Sequence, residues 1–225
     1  MRLSLVVPVL NEAAEITAAL KALAPLRSRG AEIIVVDGGS NDGTAAEAAP
    51  HADSVLSAPR GRAMQMNAGA AAARSDVLLF LHADTRLPDG ADLKIRDALA
   101  QSPRLWGRFD VRFAGGALPL VAAMMNLRSR ATGIATGDQA MFVTRDAFAR
   151  VGGFPNIALM EDVALSARLK RLSRPLCLTA RATTSPRRWQ RRGTLRTVLL
   201  MWRLRLAFFL GADPKRLARA YGHGD

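Results

Sequence analysis

The chain contains one cysteine, Cys177. A single thiol excludes an internal disulfide and any multi-cysteine zinc or iron–sulfur site, and it fits a reducing cytosol. Long apolar runs are also missing. The nearest candidate, residues 197–210, is interrupted by Arg203 and Arg205, so it cannot cross a bilayer cheaply. Nor is a targeting segment read at the start. Met1 and Arg2 lead into an apolar run that ends at Pro8, too short for a signal-peptide core and without a cleavage site. Acidic residues are the most informative shortage. Residues 167–225 carry 15 Lys and Arg against only Asp213 and Asp225, whereas residues 1–166 carry 17 of each sign. The whole net charge of +13 therefore sits in the last 59 residues. Arginine outnumbers lysine 28 to 4. GC-rich coding would explain that preference, but not the loss of acids. A basic end on a neutral body points to an anionic partner: nucleic acid, an acidic membrane surface or a phosphorylated ligand.

What is present fits an ordinary globular domain. Apolar residues are 49% and charged residues 23% of 225, which excludes disordered, collagenous and low-complexity classes. A chain of this length buries about 70% of its unfolded surface and needs no staple.

The hydrophobic pattern alternates between strand and helix. Leu3–Val9 (LSLVVPV) is a continuous, β-branched apolar run, as expected of a strand buried on both faces. Residues 11–24 have a helical spacing, with Ile16, Leu20 and Leu23 on one face, Asn11 as N-cap, and Pro25 and Gly30 as closing residues. Residues 32–36 and 76–82 read as two further buried strands, with helices predicted near residues 44, 62–73 and 87–101. This is a β-α rhythm, which predicts a parallel sheet with helices on both faces. After residue 103 the rhythm breaks. Residues 108–113 (RFDVRF) alternate like a half-exposed strand. Helices are expected over 118–129, 161–172, 194–210 and 214–221, and strands over 139–144 and 176–180.

Ligands of open parallel sheets bind beyond the carboxyl ends of the strands. The first strand delivers Pro8, Asn11 and Glu12 there, the second Asp37, Ser40 and Asp42, and the third His82 and Asp84. Such a rim calls for a cation or for polar hydroxyls. A dinucleotide fingerprint is excluded in the turn at 38–43, because Ser40 stands where a glycine is needed and Asp37 would repel phosphate.

These residues resemble glycosyltransferase family 2 of the GT-A fold. The match runs through SLVVPVLNE at 4–12, VVDGGSNDGT at 35–44, FLHADT at 80–85, GDQAMFV at 137–143 and MEDVALSARLKR at 160–171. Within the family the chain is most similar to a short bacterial subgroup associated with arsenosugar biosynthesis, whose relatives include carotenoid glycosyltransferases. The resemblance implies an α/β fold with a mostly parallel Rossmann-like sheet over residues 1–190. A basic amphipathic helical extension would follow over 191–225. It implies that Pro8, Asn11, Glu12, Asp37, Arg62, Asn67 and Asp84 bind a nucleoside-diphosphate sugar. The family's D-x-D motif reads His82-Ala83-Asp84 here, so Asp84, with His82 as a second candidate, would hold Mn²⁺ or Mg²⁺. Asp162, with Glu161 second, would be the base of an inverting transfer to a hydroxyl or carboxyl acceptor. Gly137, Asp138 and Gln139 would line the acceptor pocket. Arg188 and Trp189 fit the R-W of a Q-x-x-R-W motif, in which Ser185 replaces the glutamine.

Two other classes compete. A nucleotidyltransferase would carry a glycine-rich basic loop after the first strand, where Leu10-Asn11-Glu12 stands. A nucleic-acid or membrane-surface binding protein without catalysis would account for the basic end, but no nucleic-acid motif is found. The end itself is amphipathic. Leu195, Val198, Leu199, Trp202, Leu206 and Phe209 fall near one helix face with Arg196, Arg203 and Arg205 around it, which suits an anionic membrane interface and a lipid-like acceptor. The expected location is cytoplasmic, peripheral to the inner face of the membrane.

Overall fold

The computed structural model describes residues 1–222, apart from the side chains of Arg188, Arg191 and Arg192. The sheet begins with β1 (Leu3–Val9), which pairs in parallel with β2 (Glu32–Asp37) on one side and with β4 (Val77–Phe80) on the other. A parallel β3 (Ser54–Ser57) lies beyond β2. The chain thus leaves β1 in one direction and later returns to its opposite flank, which opens a crevice at the carboxyl ends of β1 and β4.

The second half, where the β-α rhythm breaks, adds antiparallel strands to this mostly parallel sheet. β7 (Phe142–Thr144) lies antiparallel between β4 and β6 (Trp106–Phe113). β8 (Leu176–Thr184) runs parallel to β6, with a register shift between Phe109 and Asp110, and the short β5 (Thr85–Arg86) closes the edge.

Side-chain alternation along β1 divides two cores. Leu5, Val7 and Val9 face Ile16 and Leu20 of α1 (Ala13–Lys21) and Ile95 of α5 (Ala91–Ala100). Val6 faces Met66 and Ala70 of α4 (Arg62–Ala72), with Ala147 and Phe148 of α7 (Arg145–Arg150) and Leu165 of α8 (Glu161–Leu169) nearby. Gly69 lets α4 approach the sheet, since a Cβ there would lie 2.4 Å from Val6 Cγ1. Pro25 does not close the first helix. It starts α2 (Ala24–Ser28), where the missing N–H costs nothing. Asn11 does not cap α1 either. Its φ is +54°, and the free N–H of Ala13 donates instead to Asp42 Oδ2 at 3.0 Å, in the turn before α3 (Thr44–Ala48).

β6 is buried where its alternation predicts half-exposure. Arg108 is fully enclosed beneath α6 (Pro119–Thr132). Its guanidinium donates to Asp110, to Ser129 Oγ at 3.1 Å and to the Asn126 carbonyl at 3.2 Å, while Arg130 donates to Asp110 Oδ2 at 2.7 Å. A buried charge persists only with such pairing, so this network fixes α6 on β6.

A third apolar cluster joins the C-terminal helices to the body. Leu204 of α10 (Thr194–Phe209) and Leu217 and Tyr221 of α11 (Pro214–Tyr221) pack with Ile134, Leu159, Met160 and Val163. A short α9 (Arg187–Arg192) precedes them, tied to α1 by an Arg187–Glu15 ion pair. No helix among the described residues is long and apolar enough to cross a membrane.

Candidate active site

A cleft of about 760 Å³ opens at the β1–β4 switch point. One side is lined by Pro8 and Glu12 from the end of β1 and by Arg60 and Arg62 at the start of α4. The floor holds His82 and Asp84 from beyond β4, Gly137 and Asp138, and Glu161 and Asp162 at the start of α8. The far wall is built by α6 and α10.

The acidic pair is held by backbone geometry. Met160 precedes it at φ +70°, a left-handed conformation that a long side chain rarely adopts. This turn places both carboxylates at the N-terminus of α8, where the helix dipole favours negative charge. Asp162 Oδ2 accepts from the Gly137 N–H at 2.8 Å, and Oδ1 accepts from the Val163 N–H at 2.7 Å. Each oxygen keeps a lone pair for a further proton or donor. Glu161 is 6% exposed. Burial, reinforced by the neighbouring Asp162, pushes its carboxyl up to about 7, against the pull of Arg62 and His82.

His82 closes on the same turn. A Cβ at Gly137 would stand 2.3 Å from His82 Cε1, so only glycine allows this approach. His82 Nδ1 lies 3.7 Å from Asp138 Oδ1. Asp84 is exposed at the rim and accepts from the Thr85 hydroxyl at 3.3 Å. Burial raises the Glu12 carboxyl, as do its acidic neighbours Glu15 and Asp84, while Arg187 opposes them. Glu15 is lowered by its hydrogen bond from Arg187.

Pro8, Glu12, Arg62, His82, Asp84, Gly137, Asp138, Glu161, Asp162 and Trp189 of the sequence-predicted residues line this cleft. Trp189 also packs edge-on against Phe113, with ring centroids 5.7 Å apart. Four predicted residues are not among the lining residues. Asn11 and Asp37 build the neighbouring loops. The Asn11 N–H donates to Ser40 Oγ at 2.9 Å, and Asp37 accepts from the Ser40 N–H at 3.0 Å. Asn67 exchanges two hydrogen bonds with the backbone of Phe154, at 2.8 and 3.0 Å. Gln139 is fully buried and donates to Asn126 Oδ1 at 3.4 Å. The side chain of Arg188 lies outside the described residues.

Sequence reasoning missed Gln65, Arg128 and Arg205. Gln65 Nε2 donates to the carbonyls of Val9 at 2.8 Å and Val36 at 2.9 Å, bridging the last residues of two strands. It sits in an Ala- and Met-rich helix with no motif to single it out. Arg128 and Arg205 reach the cleft only because α6 and α10 pack where they do.

Among the described residues no group of three or more His, Cys, Asp or Glu is placed to hold a metal. The donors that are present nevertheless suit a hard cation. Asp84 offers an exposed carboxylate, and Mg²⁺-type ions are commonly held by one or two carboxylates with substrate phosphates completing the shell.

The sequence model described as Glycosyl transferase family 2 matches residues 4–149. Among curated proteins no sequence match is found. Solved structures share the fold. TarS 1-349 of S. aureus superposes with a TM-score of 0.69 at 18% identity, covering 83% of this chain and 61% of TarS 1-349. The mannosyltransferase PcManGT of Pyrobaculum calidifontis, in complex with GDP-Man and Mn²⁺, gives 0.67 at 20% identity, covering 98% and 68%. Glucosyl-3-phosphoglycerate synthase of Mycobacterium tuberculosis, with Mg²⁺ and UDP, gives 0.59 at 20% identity, covering 81% and 70%. The chain therefore spans about three fifths of the TarS fragment.

The raised carboxyl of Glu161 has a measurable consequence. The folded protein keeps this proton up to about pH 7, whereas an unfolded glutamate releases it near 4.5. The stability contributed by protonated Glu161 is complete below about 4.5 and is lost as pH rises through about 7, on the order of 3 kcal/mol in all. Glu161→Gln removes the titration. Its melting temperature, compared with wild type, is expected to gain between about pH 4.5 and 7 and to hold a constant difference above that. Parallel pH profiles for the two proteins would refute the burial argument.

Proposed function

The chain belongs to glycosyl transferase family 2, and we propose that it moves a sugar, with inversion, from a nucleoside diphosphate to an acceptor oxygen. The observation that carries this reading is the meeting of Asp84, the half-buried Asp162 and the buried Glu161 in one cleft at the strand switch point. The chain is a glycosyltransferase with the GT-A fold. The solved neighbours hold GDP-Man with Mn²⁺ and UDP with Mg²⁺. This supports a nucleotide-sugar donor and a divalent cation here.

In this reading Pro8, Glu12 and Arg62 flank the nucleotide, and Asn11 and Asp37 shape the loops behind it. Asp84 is the residue to hold Mn²⁺ or Mg²⁺, with His82 beside it. A bound divalent ion would supply positive charge to the departing diphosphate. Asp162, fixed by the Gly137 and Val163 N–H groups, takes the proton of the acceptor oxygen. That oxygen forms its bond to the anomeric carbon from the face opposite the nucleotide. The bond to the diphosphate breaks and its electron pair leaves with the phosphate oxygen. Glu161, uncharged below about pH 7, spares Asp162 a second adjacent negative charge.

The motif pattern favours the arsenosugar-type subgroup, and the cleft's outer wall favours a lipid-like acceptor at a membrane. Eleven large apolar side chains are exposed among the described residues. All but Met1 and Leu93 lie on α6, on α10 or directly after α10. Leu195, Leu199, Trp202, Leu206 and Phe209 form one stripe of α10, each more than half exposed, while Thr197 and Leu204 of the opposite face are buried. Exposed Arg196, Arg203, Lys215, Arg216 and Arg219 accompany the stripe. Their charge disfavours a second copy of the chain and favours an anionic bilayer.

Asp162→Asn is expected to lower turnover about 10²–10⁴-fold, measured as nucleoside diphosphate release, while donor binding persists. Unchanged turnover would remove Asp162 as base. In flotation, the protein should rise with phosphatidylglycerol vesicles and not with phosphatidylcholine ones, and Trp202→Glu should stay below. Wild-type protein left entirely in the soluble fraction would exclude membrane docking.

A further inference from the structure

Among the described residues, two arginines in the cleft have no protein partner for part of their fork. Nε and Nη2 of Arg128 and Nε of Arg205 are shielded from solvent and make no hydrogen bond. Buried polar groups are nearly always satisfied, and an unmatched guanidinium N–H is costly. The cost is evident in Arg128 itself, whose pKa burial depresses although Asp162 and Asp138 oppose the shift. The contrast with Arg108 and Arg130 is informative. Both are tied to Asp110 at the interface of α6 and β6, and although Nη1 of Arg130 is also unpartnered, neither arginine lines the cleft. Arg128 and Arg205 instead line the open cleft, one from α6 and one from α10.

The surface between and around them is apolar. Val121, Met124 and Met125 of α6 and Val198, Met201 and Trp202 of α10 line the same part of the cleft. Met124 and Trp202 are also 46% and 59% exposed, so the wall runs outward to the mouth. There it meets Leu120 and Leu127 of α6 and Leu195 and Leu199 of α10, all exposed. The diphosphate of a sugar nucleotide has no apolar surface to bury on such a wall, and the wall extends along two helices, further than one base would cover. A guanidinium fork, in turn, matches an oxyanion better than a neutral hydroxyl.

We propose that Arg128 and Arg205 form an acceptor subsite for an amphiphile, binding its phosphate or carboxylate headgroup while its apolar chain lies along α6 and α10 towards the mouth. Naming this ligand the acceptor rests on the glycosyltransferase reading; the binding site itself does not. Arg128 and Asp162 line the same cleft, so the headgroup would be held beside Asp162, with a hydroxyl of the same amphiphile as the acceptor oxygen, because the anionic headgroup has no proton for Asp162 to take near neutral pH.

Trp202 and Trp189 line the cleft, so binding can be read from tryptophan fluorescence without turnover. The probes are dodecyl phosphate, dodecanoate and dodecanol, each below its micelle concentration, with and without saturating UDP or GDP and Mn²⁺. At least one anionic probe should bind saturably, and tighter than dodecanol. Its binding should survive the nucleotide. Arg128→Gln and Arg205→Gln should each weaken it about tenfold, and Arg128→Lys should restore part of the loss. Circular dichroism identifies a variant that fails to fold, and Arg205→Gln on the outer helix then carries the test. Equal affinity for dodecanol and the anions, or displacement by the nucleoside diphosphate, would overturn the subsite. Displacement would assign both arginines to the donor. If no nucleotide binds while the anionic probe still does so through the arginines, the subsite stands and the transferase reading fails.

Discussion

Two adjacent carboxylates, Glu161 and Asp162, are set into the floor of a cleft at the first turn of α8, and the cleft is built around the cost of placing them there. Two such charges repel each other and lose hydration together. The fold meets this cost in two ways. Asp162 is matched by backbone N–H groups from its own helix and from the turn at Gly137. Glu161 is nearly sealed and holds its proton to about pH 7. Neighbouring sequence positions thereby acquire different chemistry, one as a fixed acceptor and the other as a titrating group near neutrality. The strained backbone at Met160 is the local cost of this arrangement.

The surroundings follow from that constraint. Gly137 has no side chain because His82 occupies the space, and this contact links the end of β4 to the turn that holds Asp162. Arg62 and His82 act on Glu161, and Arg128 acts on Asp162. The rim is again acidic, with Glu12 and Asp84 close enough to raise the Glu12 carboxyl, and Arg187 only partly offsets it. A bare diphosphate approaching this rim meets negative charge. A diphosphate carrying a divalent cation does not.

The first half of the molecule is written openly in the sequence. Leu3–Val9 and Glu32–Asp37 are unbroken apolar strands ending in polar residues, and each end arrives at the rim. Motif position alone could not separate residues that face the cleft from those that hold its walls. Asn11 and Gln139 stand beside Glu12 and Asp138 in the same motifs, yet the hydrogen bonds of Asn11, Asp37, Asn67 and Gln139 are spent on loops and on α6. The alternation of RFDVRF misled for a related reason. Arg108 and Asp110 are polar, but they neutralise each other under α6, a contact that no local pattern encodes. Arg128 and Arg205 were hidden for the same cause. Their position depends on how α6 and α10 dock, and in the sequence they are two arginines among many. Exposure of the α10 stripe was legible only as amphipathicity. Which face is turned outward is settled by Thr197 and Leu204 packing inward.

An acidic rim beside two adjacent carboxyl groups makes donor and cation binding mutually dependent, and such coupling is reciprocal. The most direct measurement is the melting temperature with UDP-, GDP-, ADP- and dTDP-sugars, each in Mn²⁺, Mg²⁺ or EDTA, because a ligand of the native state raises it by mass action. The expected result is a rise with one nucleotide class that needs the metal and disappears in EDTA. A rise of equal size in EDTA would contradict the coupling, and no rise with any donor in either metal would contradict the assignment of the cleft to a nucleotide sugar.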